Sequence, residues 1–313
     1  MTRRDFLLST VALAGATGVA RASAGTASIP AIDTHIHLYD PRRPQGIPWP
    51  AKTDALLYTP HLPEDFRRTV APYHVVGAVV VEASDWLEDN AWLLDLAKTN
   101  DEIVGVIGNL RIDGPQFAVQ LQRLTASPLF RGLRLKSADL KTLDTPAFAS
   151  GVRLLAEAGL TVDVLGGPAI LAPAVRLARI APTLRVVVDH LPFKEWDGNL
   201  AALQTALGEA AAQPNIFIKI SEVVRRPAAG RPIADPAYYR PTLDALVDLF
   251  GPDRVLFASN WPVSDRVAAY GTVHGVVADY FSTGSRSAAE KFFWRNSLVA
   301  YRWQARGAAA FLS

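Results

Sequence analysis

Eight short strand-like segments, all but the fourth containing β-branched residues, recur along the chain with turn residues on either side: Ala31 to His37, Val75 to Glu82, Ile103 to Leu110, Arg131 to Lys136, Leu160 to Leu165, Leu184 to His190, Asn215 to Ser221 and Val255 to Asn260. Most are almost continuously apolar, as in Val79-Val80-Val81 and Val186-Val187-Val188. Such strands must be kept from water on both faces, which a parallel sheet covered by helices achieves and a half-wet antiparallel sheet does not. Between them, Glu88 to Thr99, Pro115 to Leu124, Ala147 to Ala158, Ala169 to Ile180, Asn199 to Ala212 and Tyr238 to Phe250 carry apolar residues at helical spacing. Strand starts near residues 75, 103, 131, 160, 184 and 215 give a βα repeat of 24 to 31 residues. Eight such units with no change of composition predict an α/β fold, a single-domain (β/α)8 TIM barrel, rather than an open doubly wound sheet. The tail from Ser287 to Trp303 reads as the closing helix, and Gln304 to Ser313 as a fraying end.

Half of the 313 residues are hydrophobic and only 20% are charged, enough apolar material for one large core. The first 24 residues stand apart. Arg3-Arg4 precedes an apolar run from Phe6 to Ala20, followed by the small-residue pattern Ala22-Ser23-Ala24. Broken by Gly15 and Gly18, that run falls short of the ~20 residues that span a bilayer. Residues 1–24 therefore read as a twin-arginine-type signal peptide, handled by the twin-arginine translocation machinery and removed near Ala24, leaving a barrel of residues 25–313 in the periplasm. The mature chain holds 29 cations and 29 anions with no basic run, so nucleic acid and stable membrane association are not expected. Without a cysteine, the chain offers no disulfide framework, thiolate metal site or cysteine nucleophile.

Two connections are long. Asp40 to His74 is rich in proline and contains Trp49, and Glu222 to Asp253 contains Arg225-Arg226-Pro227. Both follow strand C-termini, where barrel active sites lie, and read as walls of a substrate pocket.

The sharpest local signal is Asp33-Thr34-His35-Ile36-His37. Strand periodicity places positions 33, 35 and 37 on one face, so two imidazoles point together at the C-terminal end of the first strand. Such a pair can bind a divalent metal or hydrogen-bond an anionic substrate. Asp189-His190 closes the sixth strand and Ser259-Asn260-Trp261-Pro262 the eighth. Glu82, Arg134, Lys136 and Lys219 are charges set in apolar strands, and a buried charge requires a partner or a charged ligand. All belong to one mouth if the barrel closes.

Taken in order, IDTHIHLYD, FRGLRLK, VVVDHLPF, IFIKIS and LFASNWPV resemble the amidohydrolase-related family of the amidohydrolase superfamily, in the branch of sugar lactonases, pyrone dicarboxylate lactonase and aldarolactone isomerases. The resemblance covers essentially the whole mature chain. It implies a barrel enzyme acting on the ester carbonyl of a sugar-acid lactone or related cyclic ester, by hydrolysis or by isomerisation. His35 and His37 match the family's paired histidines, His190 its strand-six histidine, and Asn260 a position where many members carry aspartate. Two departures follow: the fifth strand holds Asp163 and no histidine, and the eighth holds an amide in place of an acid. The cofactor is accordingly none, or one divalent metal such as zinc on His35, His37 and His190.

In this reading His35 and His37 polarise or position the carbonyl, His190 moves protons, and Asn260 orients. Arg134, Lys219, Glu82, Lys136 and Trp261 contact an anionic or polyhydroxylated small-molecule substrate. Two other readings stand beside it: a metal-dependent hydrolase or decarboxylase, and a non-catalytic periplasmic sugar-acid binding protein. An amide takes no proton near neutral pH, so Asn260 leaves water activation without an evident base. Placing a carboxylate there, Asn260→Asp, is expected to weaken the native reaction by repelling an anionic substrate.

Overall fold

The computed structural model describes residues 28–190, 200–226 and 230–312, so the expected signal segment lies outside the described residues. The strands are β1 (Ala31–Ile36), β2 (Val75–Val81), β3 (Ile103–Gly108), β4 (Phe130–Lys136), β5 (Thr161–Leu165), β6 (Arg185–Val188), β7 (Ile216–Ile220) and β8 (Val255–Phe257). They pair in parallel and in chain order. The ring closes just beyond β8, where the Asn260 amide donates to the His35 carbonyl at 2.9 Å and the His37 amide to the Trp261 carbonyl at 2.8 Å. Eight strands in sequential order, each returned by a right-handed helical crossover, close into a (β/α)8 barrel as the sequence pattern requires.

The helices that cover the strands are α1 (Pro63–Val70), α2 (Glu88–Thr99), α3 (Phe117–Thr125), α4 (Pro146–Glu157), α5 (Leu171–Ile180), α6 (Leu200–Ala211), α7 (Arg240–Phe250) and α8 (Tyr270–Ser282). Their ends follow local chemistry. The Thr145 hydroxyl accepts from the Phe148 amide and Pro146 opens α4, while Gly251, at φ 71°, ends α7 in the left-handed region. Two helices depart from the sequence reading: α1 forms inside the proline-rich connection, and α8 follows the eighth strand. The C-terminal segment is α9 (Arg286–Glu290), a π-helical turn at Lys291–Arg295 and α10 (Asn296–Tyr301).

Alternate residues of each strand feed two apolar layers. Val80, Val106, Leu133, Val162, Val186 and Ile218 pack outward against Leu93, Phe148, Leu155 and Leu243 of the helices. Ile32, Val79, Val81, Ile107, Val187 and Leu256 fill the barrel, together with Tyr301, Trp303, Ala309 and Leu312. This second layer corrects the expected fraying end. Ala309 and Leu312 are buried, the Gln304 amide donates to the Val104 carbonyl at 2.9 Å, and Arg306 donates to the Ala97 carbonyl at 2.8 Å, so the tail plugs the N-terminal mouth. The apolar residues that look surplus at a chain end are the plug itself.

His274 of α8 sits within 5.2–6.4 Å of the rings of Tyr73, Tyr270, Phe257 and Phe293. Burial among them lowers its pKa to about 4. With a folded pKa below the unfolded value of about 6.5, the unfolded chain binds the proton first as pH falls, so stability is lost between pH 6.5 and pH 4 and no further below. His274→Phe removes this penalty. Thermal unfolding at pH 7 and pH 4.5 should show the variant gaining a few degrees on the wild type at the lower pH, roughly the shift of 1–2 kcal/mol in a chain this large; an unchanged difference would contradict the assignment.

Candidate active site

Among the described residues, strand ends and the segments just after them supply the polar groups of the C-terminal mouth. A register slip between Asp33 and Ile36 divides the first motif. The Asp33 carboxylate turns to the helix layer, accepting from the Ser259 amide at 2.9 Å, the His35 amide at 3.2 Å and the Tyr270 hydroxyl of α8 at 3.0 Å. Burial raises its pKa to about 6 against these donors. The expectation that Asp33 shares a face with the histidines is therefore corrected: the slip moves it to the opposite side, and its work is to pin β1 to the turn after β8.

His35 and His37 do converge, their Nε2 atoms 3.2 Å apart. His37 Nδ1 lies 2.9 Å from the Val81 carbonyl, which only accepts, so this nitrogen carries the proton and Nε2 the lone pair. Burial, reinforced by the charge of Arg134, lowers the His37 pKa to about 3 and keeps the ring neutral. His35 Nδ1 lies 3.0 Å from Lys219 Nζ and so accepts, leaving its Nε2–H to donate towards His37. A directed chain runs from ammonium to imidazole to imidazole to backbone carbonyl.

Lys219 has no exposure. Its Nζ donates to Asp163 at 2.6 Å and lies 2.9 Å from Asp189, a pairing by charge without the alignment of a hydrogen bond. Asp189 also lies 3.5 Å from His35 Nδ1. The Tyr301 hydroxyl donates to Asp163 at 3.0 Å, and burial pushes the Asp163 carboxyl upward against the pull of Lys219. Nearer the rim, Arg134 Nε donates to Glu82 Oε1 at 2.8 Å and a terminal nitrogen to the Glu82 carbonyl at 2.5 Å. Lys136 pairs with Asp85 and lies 3.5 Å from Glu82.

Three residues that follow β6, β7 and β8 adopt the left-handed region: His190 at φ 62°, Glu222 at φ 51° and Asn260 at φ 62°. For side chains with a Cβ this costs on the order of 1 kcal/mol each, and such strain persists where surrounding structure holds a side chain in place. His190 Nδ1 lies 2.7 Å from the Ser221 hydroxyl, and its ring centroid 4.4 Å from that of His35. Asn260 Nδ2 donates to Glu222 Oε1 at 2.6 Å.

These groups surround a cavity of about 450 Å³ lined by His37, His190, Glu222, Asn260, Arg134, Lys136 and Ser84, with Pro48, Trp49 and Val263 as apolar walls. Of the residues expected from sequence, His37, His190, Asn260, Arg134 and Lys136 line it. His35 lies behind His37, in contact with it. Glu82, Lys219 and Trp261 are not on the wall, which corrects their expected substrate contact. Glu82 and Lys219 are consumed by buried ion pairs, and Trp261 packs on His61 and Phe66 at the barrel seam. Sequence reasoning missed Glu222, although it follows the apolar run IFIKIS just as Asn260 follows VLFAS, and that signal was sufficient to find it.

The donor set fits a metal ion. His35, Asp189 and His190 offer ligand atoms within 4.8 Å of one another, and His37 adds a nitrogen 3.2 Å from His35. Nitrogens bound tetrahedrally to zinc at ~2.0–2.1 Å stand about 3.3–3.4 Å apart. Ligation by His35 Nε2 would require its proton on Nδ1, facing Asp189.

The chain is similar to known proteins over most of its length. The L-fucono-1,5-lactonase of Burkholderia ambifaria is 30% identical over 244 residues, covering 77% of this chain and 83% of the relative. The L-fucono-1,5-lactonase of Burkholderia multivorans is 27% identical over 274 residues, covering 84% and 92%. The crystal structure of an amidohydrolase from Burkholderia multivorans with bound zinc superposes with a TM-score of 0.77 at 25% identity, over 88% of this chain and 99% of that one. A family model described as amidohydrolase matches residues 32–303, so nearly the whole barrel carries the family's pattern and the chain belongs to the amidohydrolase family.

Proposed function

We propose that the protein is an exported lactonase that hydrolyses the ring ester of a sugar-acid 1,5-lactone. The observation that carries this reading is the composition of the single mouth: a cationic rim of Arg134 and Lys136, and proton-accepting groups His190 and Glu222 around one cavity. The similarity to two L-fucono-1,5-lactonases supports the substrate class. Export is supported by Arg3-Arg4 and the apolar run that follows.

Hydrolysis adds water to the ester carbonyl, places negative charge on the carbonyl oxygen and frees the ring oxygen as a hydroxyl. Arg134, fixed by Glu82, and Lys136 face that charge and the carboxylate product. His190, oriented by Ser221, moves a proton to or from the ring oxygen. A divalent ion held by His35, His37 and His190 would, when bound, polarise the carbonyl as a Lewis acid, and His190 would then be a ligand, so the proton transfer assigned to it belongs to the metal-free site. Hydrolysis is favoured over isomerisation because Asn260 does not stand alone: the Glu222 carboxylate lies beside it.

Two measurements test the reading. A panel of aldono- and aldarolactones, followed by pH-stat and NMR, should show acid release from a six-carbon 1,5-lactone; no acid from any member would overturn the substrate class. Arg134→Met should lower kcat/KM about 100-fold, the scale of one lost charge-stabilising contact. Because that variant strands Glu82 as a buried charge, its Tm should fall as well. Adding Glu82→Gln should restore the Tm without restoring turnover, whereas recovery of both would assign Arg134 to structure alone.

A further inference from the structure

We propose that Glu222 is the general base that deprotonates the attacking water, and that Asn260 holds both base and water in place; this rests on the lactone-hydrolysis reading above. Water adding to a neutral ester must lose a proton as the new C–O bond forms. Among the described residues, four groups on the cavity wall can accept one: His37, His190, Asp85 and Glu222. The lone pair of His37 Nε2 is directed at His35, 3.2 Å away. Asp85 is ion-paired with Lys136 and stands 78% exposed on the rim. His190 has one nitrogen turned to Ser221 and serves the leaving oxygen.

Glu222 differs in what holds it. A carboxylate oxygen only accepts, so the group 2.6 Å from Oε1 must be the Asn260 amide nitrogen, and the Asn260 carbonyl oxygen must face the other way. That oxygen is buried and has no hydrogen-bond partner among the described residues. A buried acceptor left open is unfavourable unless a ligand satisfies it. Asn260 itself is 2% exposed and lines the same cavity as Glu222. Both residues therefore line one cavity, the Asn260 amide lying between the Glu222 carboxylate and its own open oxygen, and each is held by left-handed backbone. One water molecule has two protons. Donating one to Glu222 and one to Asn260 Oδ1, it turns a lone pair to the carbonyl carbon.

The step balances without a further reactant. The water oxygen bonds to the carbonyl carbon, its proton passes to Glu222, and the carbonyl electron pair moves to oxygen. As the tetrahedral intermediate collapses, the ring C–O bond breaks and the proton returns by way of His190 to the ring oxygen. Glu222 is regenerated as carboxylate, and the product is the open hydroxy acid. In this chemistry an amide at position 260 is not a lost base but the clamp for a base on the neighbouring strand.

The test uses the mature chain and whichever lactone the wild type hydrolyses. Glu222→Gln should lower kcat by 10²- to 10⁴-fold with KM changed less than about threefold, the usual size of a general-base loss. Glu222→Ala should be equally slow and regain rate with added formate, which separates a missing base from a misfolded chain. Asn260→Ala should lose about 10- to 100-fold in kcat. Asn260→Asp should slow the reaction at pH 7 and move the acid limb of its pH profile upward, because two adjacent carboxylates cannot both ionise readily. A Glu222→Gln enzyme that keeps a third or more of wild-type kcat, or a Glu222→Ala enzyme deaf to formate, would overturn the assignment while leaving the lactonase reading intact. A wild type inert on every lactone would overturn both.

Discussion

A lysine ammonium with no access to water organises this barrel. Lys219 reaches from β7 to Asp163 on β5 and Asp189 after β6, and touches His35 on β1. Two charges taken from water at this depth are tolerated only with close partners, and removing one partner from such a group typically costs about 3–5 kcal/mol. The strands that carry them are therefore held in one relative position. Because Lys219 donates to His35 Nδ1, the same ion group also sets the proton arrangement of the histidine pair above it. Tyr301 extends the network to the C-terminal helix through Asp163, so the plug at one end of the barrel and the chemistry at the other share a buried group.

Above this charged floor the mouth is shaped by backbone constraint. Ring closure runs through His35, His37, Asn260 and Trp261, so the hydrogen bonds that complete the barrel also fix the spacing of its reactive residues. Left-handed backbone at His190, Glu222 and Asn260 turns three successive strand ends into the cavity. Pre-organisation of this kind suits a reaction in which charge develops on one carbonyl oxygen, since the donors need not move as it forms. The long connection after β1 contributes what the strands cannot, an apolar wall at Pro48 and Trp49.

Much of this was legible in advance. Short segments bounded by turn residues, most of them nearly continuous apolar runs, located all eight strands, helical spacing located six helices to within a few residues, and polar residues after apolar runs located His37, His190 and Asn260. The failures have specific physical causes. Strand alternation put Asp33 beside the histidines, but a register slip of one position reversed it. Nothing local distinguishes a plug from a fray, so the apolar tail reads as a loose end. A sequence shows that a buried charge needs a partner without showing which, so Lys219 and Glu82 read as substrate contacts. Glu222 went unnoticed although it met the same criterion as Asn260.

The sequence by itself determined the fold class and the residue types at the strand ends, because burial on both faces and helical spacing are local patterns with a parallel barrel as their common solution. It also determined that the eighth strand ends in an amide, and from that alone the mouth looked short of a base. Only the tertiary structure decided which charges neutralise one another and which face the cavity, since Lys219 meets Asp163 across 56 residues and Asn260 meets Glu222 across 38. Pairings over that separation depend on angstrom-scale distances between strand ends. Those distances exist only once the ring has closed.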